Sequence, residues 1–131
     1  MIVLSNKAAQ TIQPGAAALF DEVVFKSGCA EYRNSGNGPV KIRCGVYDFQ
    51  FNGNIGGAAG TQPNLAIAVD GVVLPETTMV ATTALDTDIF NVHGGTKFCN
   101  RCGGSVVSVV NTGTTPVTIA ANPALIVKRE A

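Results

Sequence analysis

The sequence predicts an all-β fold, a two-sheet antiparallel sandwich in one domain over residues 1–131, with 1–7 as an N-terminal tail. Three observations predict it. Short runs of Val, Ile, Leu and Phe recur at near-regular spacing, and Gly, Asn, Thr and Ser fill the positions between them, as in strands joined by tight turns. No segment carries the three-and-four spacing of apolar residues that marks an amphipathic helix. The length suits a single domain.

The strands before residue 52 are predicted from β-branched and alternating apolar residues. The clearest is 46–51, in which Tyr47, Phe49 and Phe51 point the same way, because side chains of a strand alternate between its faces. These three aromatics are predicted to line either the core or an interface between copies. The alternation of side chains along the strand does not decide between the two. The strands of this half are predicted at 8–12, 19–26 with Val23, Val24 and Phe25 as its core, 31–33 and 40–43 around a turn at 34–38, and 46–51.

The second half begins with residues 52–63, whose Gly, Ala and Asn content predicts a mobile surface loop. Asp70-Gly71 between two apolar runs then predicts a hairpin with a type I′ turn, which needs positive φ at both central residues. The other strands of this half are predicted at 65–69, 72–74, 76–82, 89–92, 106–110, 117–119 and 124–128.

Several of these segments resemble one known superfamily. Residues 45–51 (GVYDFQF) resemble the Gly-x-Tyr-x-x-x strand of the tumour-necrosis-factor and complement globular heads. Residues 65–73 (LAIAVDGVV) and 106–118, followed by 125–129, resemble bacterial relatives, namely the C-terminal heads of BclA-type spore-surface glycoproteins and similar small phage and prophage proteins. The resemblance covers the chain from Ala8 onward. It implies a ten-stranded, two-sheet jelly roll that forms homotrimers.

The chain departs from these relatives in two ways. Residues 1–7 carry no collagen-like Gly-x-y repeat, and Gly103-Gly104-Ser105 stands where many relatives carry Gly-Asp. The resemblance therefore implies a structural protein, a trimeric head on a phage or phage-like capsid that serves as a decoration or head-fibre element. Its expected partners are its own copies and a major capsid or other virion protein. The alternative is a surface module that binds a glycan or host receptor through end loops, with contacts from Asn52, Asn54, Asp86 and Asp88.

Composition argues against several other classes. Nine Lys and Arg balance nine Asp and Glu, whereas nucleic-acid binders carry a basic excess. No run approaches the roughly 20 apolar residues that cross a bilayer, and residues 1–4 lack the basic head and cleavage site of a secretion signal. The sequence thus predicts no nucleic-acid or membrane partner. Together with the resemblance to phage proteins, this implies a protein that is made in the host cytoplasm and located on the virion surface.

Catalysis is not expected. His93 is the only histidine, and no nucleophile motif such as Gly-x-Ser-x-Gly accompanies it. The glycine-rich residues 53–60 lack the Lys-Ser/Thr of a phosphate cradle. Asp86 and Asp88 could bind calcium weakly, but no calcium-loop pattern surrounds them.

The four cysteines are the sharpest local feature. Cys99-Asn-Arg-Cys102 reads like a zinc knuckle, for which Cys44 and Cys29, or else His93, would complete four ligands. The family topology implies that Cys44, Cys99 and Cys102 lie at one end of the sandwich. Disulfides are favoured over zinc, and free thiols remain open. No cofactor is otherwise expected.

Overall fold

The computed structural model describes residues 1–33, 39–101 and 103–131, and its regular structure is almost entirely β-strand. The predicted turn at 34–38 lies outside the described residues. Within the described ranges, no helix is long and apolar enough to cross a bilayer. All strand pairings are antiparallel. The two sheets into which the strands divide confirm the predicted fold class.

Within the described residues, the first sheet has seven strands: β1 (Ile2–Ser5), β2 (Gln10–Ile12), β3 (Glu22–Lys26), β6 (Gly45–Gly56), β10 (Phe90–Asn100), β12 (Val117–Ile119) and β13 (Ala124–Arg129). The long strand β6 lies at the centre. On one side it pairs with β10, and on the other with β13 and then β12. Beyond β13 come β1 and then β3. The strands β3 and β10 therefore lie at opposite edges of this sheet.

Over the same part of the chain, the second sheet has six strands: β4 (Glu31–Arg33), β5 (Val40–Ile42), β7 (Asn64–Val69), β8 (Val72–Val73), β9 (Met79–Val80) and β11 (Ser105–Asn111). β11 pairs with β5 and β7, and both β8 and β9 pair with β7. The strand predicted at 76–82 is reduced to β9, because a 3₁₀ turn at Pro75–Thr77 occupies its first part.

The core lies between the sheets and is centred on the aromatic side chains of β6. Tyr47, Phe49 and Phe51 are each 0 % exposed. Phe49 stacks on Phe98 with ring centroids 5.6 Å apart, and Phe51 meets Phe20 edge-on at 6.4 Å. Of the two positions that the sequence allowed for the β6 aromatics, the structure places them in the core.

The predicted N-terminal tail at residues 1–7 is wrong, since β1 lies between β13 and β3. Ile2 and Leu4 point into the core and are 1 % exposed. Burying each of these side chains contributes about 1.5–3 kcal/mol. The segment is too short to show its alternation clearly in the sequence, and its neighbours in the sheet come from residues far along the chain.

The predicted mobile loop at 52–63 is also wrong in its first part, because β6 continues to Gly56. Asn52 and Asn54 face solvent while Gly53 and Ile55 face the core. A Cβ at Gly53 would lie 3.1 Å from the Phe51 ring, closer than an ordinary contact, so the small residue that suggests a loop leaves room for this ring. The strand predicted at 89–92 likewise extends to Asn100, since the β6–β10 ladder continues through Gly94 and Gly95.

The predicted Asp-Gly hairpin is confirmed. β7 and β8 are joined at Asp70 and Gly71, whose φ angles are 51° and 80°. Positive φ at both positions is the requirement of a type I′ turn. The Asp70 carboxylate also accepts a hydrogen bond from the Val106 N–H at 2.8 Å, which ties the hairpin to β11.

The strand predicted at 19–26 forms as β3, but the prediction that Val23, Val24 and Phe25 are its core is wrong. These three residues are 43 %, 59 % and 49 % exposed. The strand is bonded only to β1 and lies at the edge of the first sheet. Apolar identity predicted a buried strand, whereas the position of β3 at the edge leaves its side chains largely uncovered.

Candidate functional site

Among the described residues, the cysteines gather at one end of the sandwich. The Cys44 thiol lies 3.3 Å from the Arg101 carbonyl oxygen, and Cys99 pairs with Val46 across the β6–β10 ladder. The Cys29 carbonyl accepts a hydrogen bond from the Arg43 guanidinium at 2.9 Å. All three cysteines are exposed, with free thiols. Cys102 lies outside the described residues.

The structure does not assemble a metal site from the residues that it describes, which hold no group of three His, Cys, Asp or Glu suited to a metal. His93 cannot substitute for a cysteine ligand. It pairs with Asn52, six positions along β10 from Cys99, which corresponds to about 20 Å at the rise of an extended strand. Zinc at this end therefore stays a prediction that depends on the four cysteines alone.

The predicted contact residues Asn52 and Asn54 belong to an asparagine cluster on the outer face of the first sheet. The Asn91 side-chain amide donates to the Asn52 Oδ1 at 3.1 Å and to the Asn54 Oδ1 at 3.2 Å. The register explains this contact, because Asn91 on β10 lies directly opposite Asn54 on β6. The cluster holds both side-chain oxygens in place.

A tight turn before β10 carries the other two predicted contact residues. The Asp88 carboxylate accepts hydrogen bonds from the N–H groups of Ala84 and Leu85, at 3.0 and 2.9 Å, and so holds the turn together. The backbone of this turn lies against β6, since a Cβ on Gly56 would come within 2.7 Å of the Asp88 carbonyl oxygen. Only glycine permits this approach.

The turn, β6 and β12 together enclose a pocket of about 140 Å³, which we call the end pocket. Asn54, Asp86 and Asp88 all line it, whereas Asn52 does not. The structure thus brings together three of the four residues that the sequence marked as contacts. Sequence reasoning missed the remaining walls, which are formed by Gly56, Gly57, Thr87, Ile89, Thr118 and Ala120.

Two apolar surfaces were also missed by sequence reasoning. The first, the β3 strip, consists of Val23, Val24 and Phe25. The second, the edge groove, has a volume of about 420 Å³ and lies where β8 faces the end of β10. Its apolar walls are Val69, Val72, Leu74 and Phe98. Val72 is 68 % exposed. No local signal in the sequence marks either surface, because the edge position of β3 follows from strand pairing and the edge groove joins segments distant in sequence.

The topology defines this protein as a two-sheet antiparallel jelly roll. Three solved structures share the fold: Eiger TNF from S. frugiperda (9 % identity, 99 % of this chain and 91 % of that one, TM-score 0.76), mouse APRIL (11 %, 97 % and 96 %, 0.64) and the globular domain of zebrafish complement 1qA (13 %, 98 % and 98 %, 0.60). Identities this low show the fold alone.

The resemblance to tumour-necrosis-factor and complement heads is thereby confirmed at the level of the fold. No family model matches the sequence. No curated protein matches it significantly either. The closer likeness to BclA-type heads and phage proteins stays a prediction.

Proposed function

We propose that this protein is a non-enzymatic head that associates with its own copies as a homotrimer and is displayed on the surface of a larger particle. The observation that carries the proposal is the presence of two exposed apolar surfaces, the β3 strip and the edge groove, at opposite edges of the first sheet. Exposed apolar patches on soluble domains commonly mark interfaces.

The two surfaces consist of different residues at different edges of the sheet, and we propose that the β3 strip of one copy packs into the edge groove of the next. A contact between unlike surfaces is heterologous, and it forms a closed ring when the rotation between copies closes. Four strand spacings separate β3 from β10, or about 19 Å, so one copy can use both surfaces at once. The number of copies, three, comes from the resemblance to trimeric heads.

The edge strand β10 supports the same arrangement. It is eleven residues long and pairs with β6 on one side only. A long unpaired edge is a liability unless something covers it. A neighbouring copy seated in the edge groove would cover the part of β10 that contains Phe98.

Native mass spectrometry at micromolar concentration tests the assembly. We expect a trimer for the natural chain and monomers for Val24→Lys, in the β3 strip, and Val72→Lys, in the edge groove. Leu85→Lys is the matched control, because Leu85 is similarly exposed but lies outside both surfaces. An equimolar mixture of the two interface variants retains one intact pair of surfaces and is expected to form dimers. A monomeric natural chain would contradict the proposal.

The absence of enzymatic activity is part of this proposal. His93 is exposed on the outer face of the first sheet, opposite Asn52. The described residues that line the end pocket include no histidine or cysteine. A carboxylate can also act as a general acid or base, but the Asp88 carboxylate holds its own turn through the N–H groups of Ala84 and Leu85.

We assign the particle to a phage or phage-like capsid, with the major capsid or another virion protein as the partner. The support is the resemblance of residues 65–73 and 106–118 to small phage and prophage proteins. Sequencing of the genes on either side tests this assignment. We expect portal or major capsid genes there, and a neighbourhood without any virion gene would contradict it.

A second function, recognition of a host-surface glycan or receptor, is supported by one specific observation. Three of the predicted contact residues, Asn54, Asp86 and Asp88, line the same pocket. Adhesion of the labelled protein to host cells, reduced in the variant Asp86→Ala, is the expected result. Adhesion that is equal in the variant and the natural chain would contradict the assignment.

A further inference from the structure

We propose that the end pocket binds one ring of a neutral saccharide through its hydroxyl groups. This inference depends on the second proposed function, surface recognition, and names its ligand class and site. It does not depend on the trimer or on the particle.

The pocket presents both hydrogen-bond donors and acceptors that are free to contact a ligand. Within the described part of the chain, the Asn54 N–H groups, the Asp86 carboxylate and the Thr118 hydroxyl make no hydrogen bond to another residue. All three side chains are exposed. A sugar hydroxyl both donates and accepts, so a carboxylate and an amide N–H beside one another match a pair of neighbouring hydroxyls.

The positions of these groups are determined by the fold. The Asn54 Oδ1 accepts from Asn91, which leaves the N–H groups of the same amide as the free side. The Asp88 carboxylate holds the turn through the N–H groups of Ala84 and Leu85. Asp88 is therefore a positioning residue, and Asp86 supplies the free carboxylate.

Charge and ligand number argue against two other classes of ligand. The pocket is lined by two aspartates and no lysine or arginine, so phosphates, sulfates and acidic sugars are repelled. Calcium takes six to eight oxygen ligands. The Asp86 carboxylate and the Asp88 Oδ1 together fall short of that number, since the Asp88 Oδ2 already accepts two backbone hydrogen bonds.

The volume of the end pocket suits a single sugar ring. The volume of about 140 Å³ is below the roughly 300–1,000 Å³ of pockets for larger small molecules. Ile89 is 62 % exposed at the wall of the pocket and offers an apolar surface to the C–H face of a ring. Such a small contact gives a dissociation constant on the order of 1 mM or weaker. Several copies in one assembly would raise the avidity.

Two-dimensional ¹H–¹⁵N NMR of the full chain tests the inference, with glucose, galactose, mannose and N-acetylglucosamine as separate probes. At least one sugar is expected to shift the backbone amides of Gly56, Gly57 and Thr87, which line the pocket. Asp86→Ala and Thr118→Val are each expected to weaken binding about 5-fold, the effect of losing one hydrogen bond.

Thr11→Val is the matched control, because Thr11 lies opposite Thr118 in the neighbouring strand and is equally exposed, yet does not line the pocket. It should leave the titration unchanged. A parallel titration with calcium chloride distinguishes a saccharide site from a calcium site. Calcium binding at these amides without any sugar binding would overturn the saccharide class and leave surface recognition standing. If neither probe shifts them and host-cell adhesion is also absent, both proposals fail.

Discussion

The buried carboxylate of Glu31 accepts a hydrogen bond from the backbone N–H of Arg129 at 2.7 Å, although 98 residues separate the two in sequence. Glu31 is 1 % exposed, and its second oxygen lies 2.9 Å from the Met1 amino group. One side chain of β4 thus joins the second sheet to β13 of the first and to the residue that precedes β1.

Removing this carboxylate should destabilise the protein. Glu31→Ala leaves the part-buried N–H of Arg129 without its acceptor, and we expect a loss of about 1–3 kcal/mol in the free energy of unfolding. Urea denaturation followed by circular dichroism measures it. Glu22→Gln is the control, because Glu22 makes no hydrogen bond to another described side chain and should stay within about 0.5 kcal/mol of the natural chain. Equal stability of Glu31→Ala would show that the contact contributes nothing.

The ionisation of Tyr47 should lower the free energy of unfolding at alkaline pH. Burial raises the pKa of its phenol above the ordinary value of 10.0, and the nearby Glu31 raises it further. The raised pKa favours the folded state below pH 10, and that contribution is lost as the pH rises from the unfolded toward the folded pKa. Urea unfolding between pH 8 and about 11.5 should show this decline. Tyr47→Phe should show a smaller decline over the same interval, and an identical slope would count against the buried phenol.

A charge placed among the β6 aromatics should prevent folding. Phe49→Asp buries a carboxylate between the sheets at a cost of several kcal/mol, a large part of the roughly 5–15 kcal/mol that stabilises such a domain. We expect insoluble or unfolded protein by circular dichroism. Asn52→Asp, on the opposite face of the same strand, keeps the acceptor for Asn91 and should fold normally. Soluble, folded Phe49→Asp would contradict the position of Phe49 in the core.

The close approach of β6 and β10 should require glycine at position 95. A Cβ there would lie 2.5 Å from the Phe49 carbonyl oxygen, so Gly95→Ala must push the two strands apart. We expect a loss of about 1–3 kcal/mol in thermal unfolding. At Gly103 the nearest atom to an added Cβ is the Cys44 sulfur at 4.0 Å. Gly103→Ala should therefore be almost neutral, and equal effects of the two substitutions would argue against this register.

The cysteine end should form a reducible cross-link. The Cys44 sulfur lies against the Arg101 carbonyl, so we predict that Cys44 pairs with a cysteine of the Cys99–Cys102 motif after oxidation by glutathione disulfide. Mass spectrometry after thiol alkylation, with and without reduction, should detect the bond in the natural chain and in Cys29→Ser but not in Cys44→Ser. If metal analysis finds stoichiometric zinc and none of the thiols is oxidised, the predicted disulfide is wrong and the cysteines form a metal site instead.

The sequence by itself determined the elements that depend on neighbours along the chain. Alternation predicted β6 and the common face of Tyr47, Phe49 and Phe51, and the Asp70-Gly71 pair predicted its turn, because side-chain parity and turn dihedral angles are local properties. The extension of β6 through Asn52 and Asn54 was not predictable in this way. Their composition is typical of a loop, and only the pairing with β10 makes the segment a strand.

The tertiary structure alone decided which apolar residues are covered and which polar residues meet. Val24 and Ile2 are equally apolar, yet one is exposed and the other buried, because β3 ends the sheet while β1 lies inside it. Asn54 and Asp86 line one pocket only because the β6–β10 ladder brings the turn before β10 to the end of β6. Such placements arise from pairings between distant strands, about which local propensity carries no information.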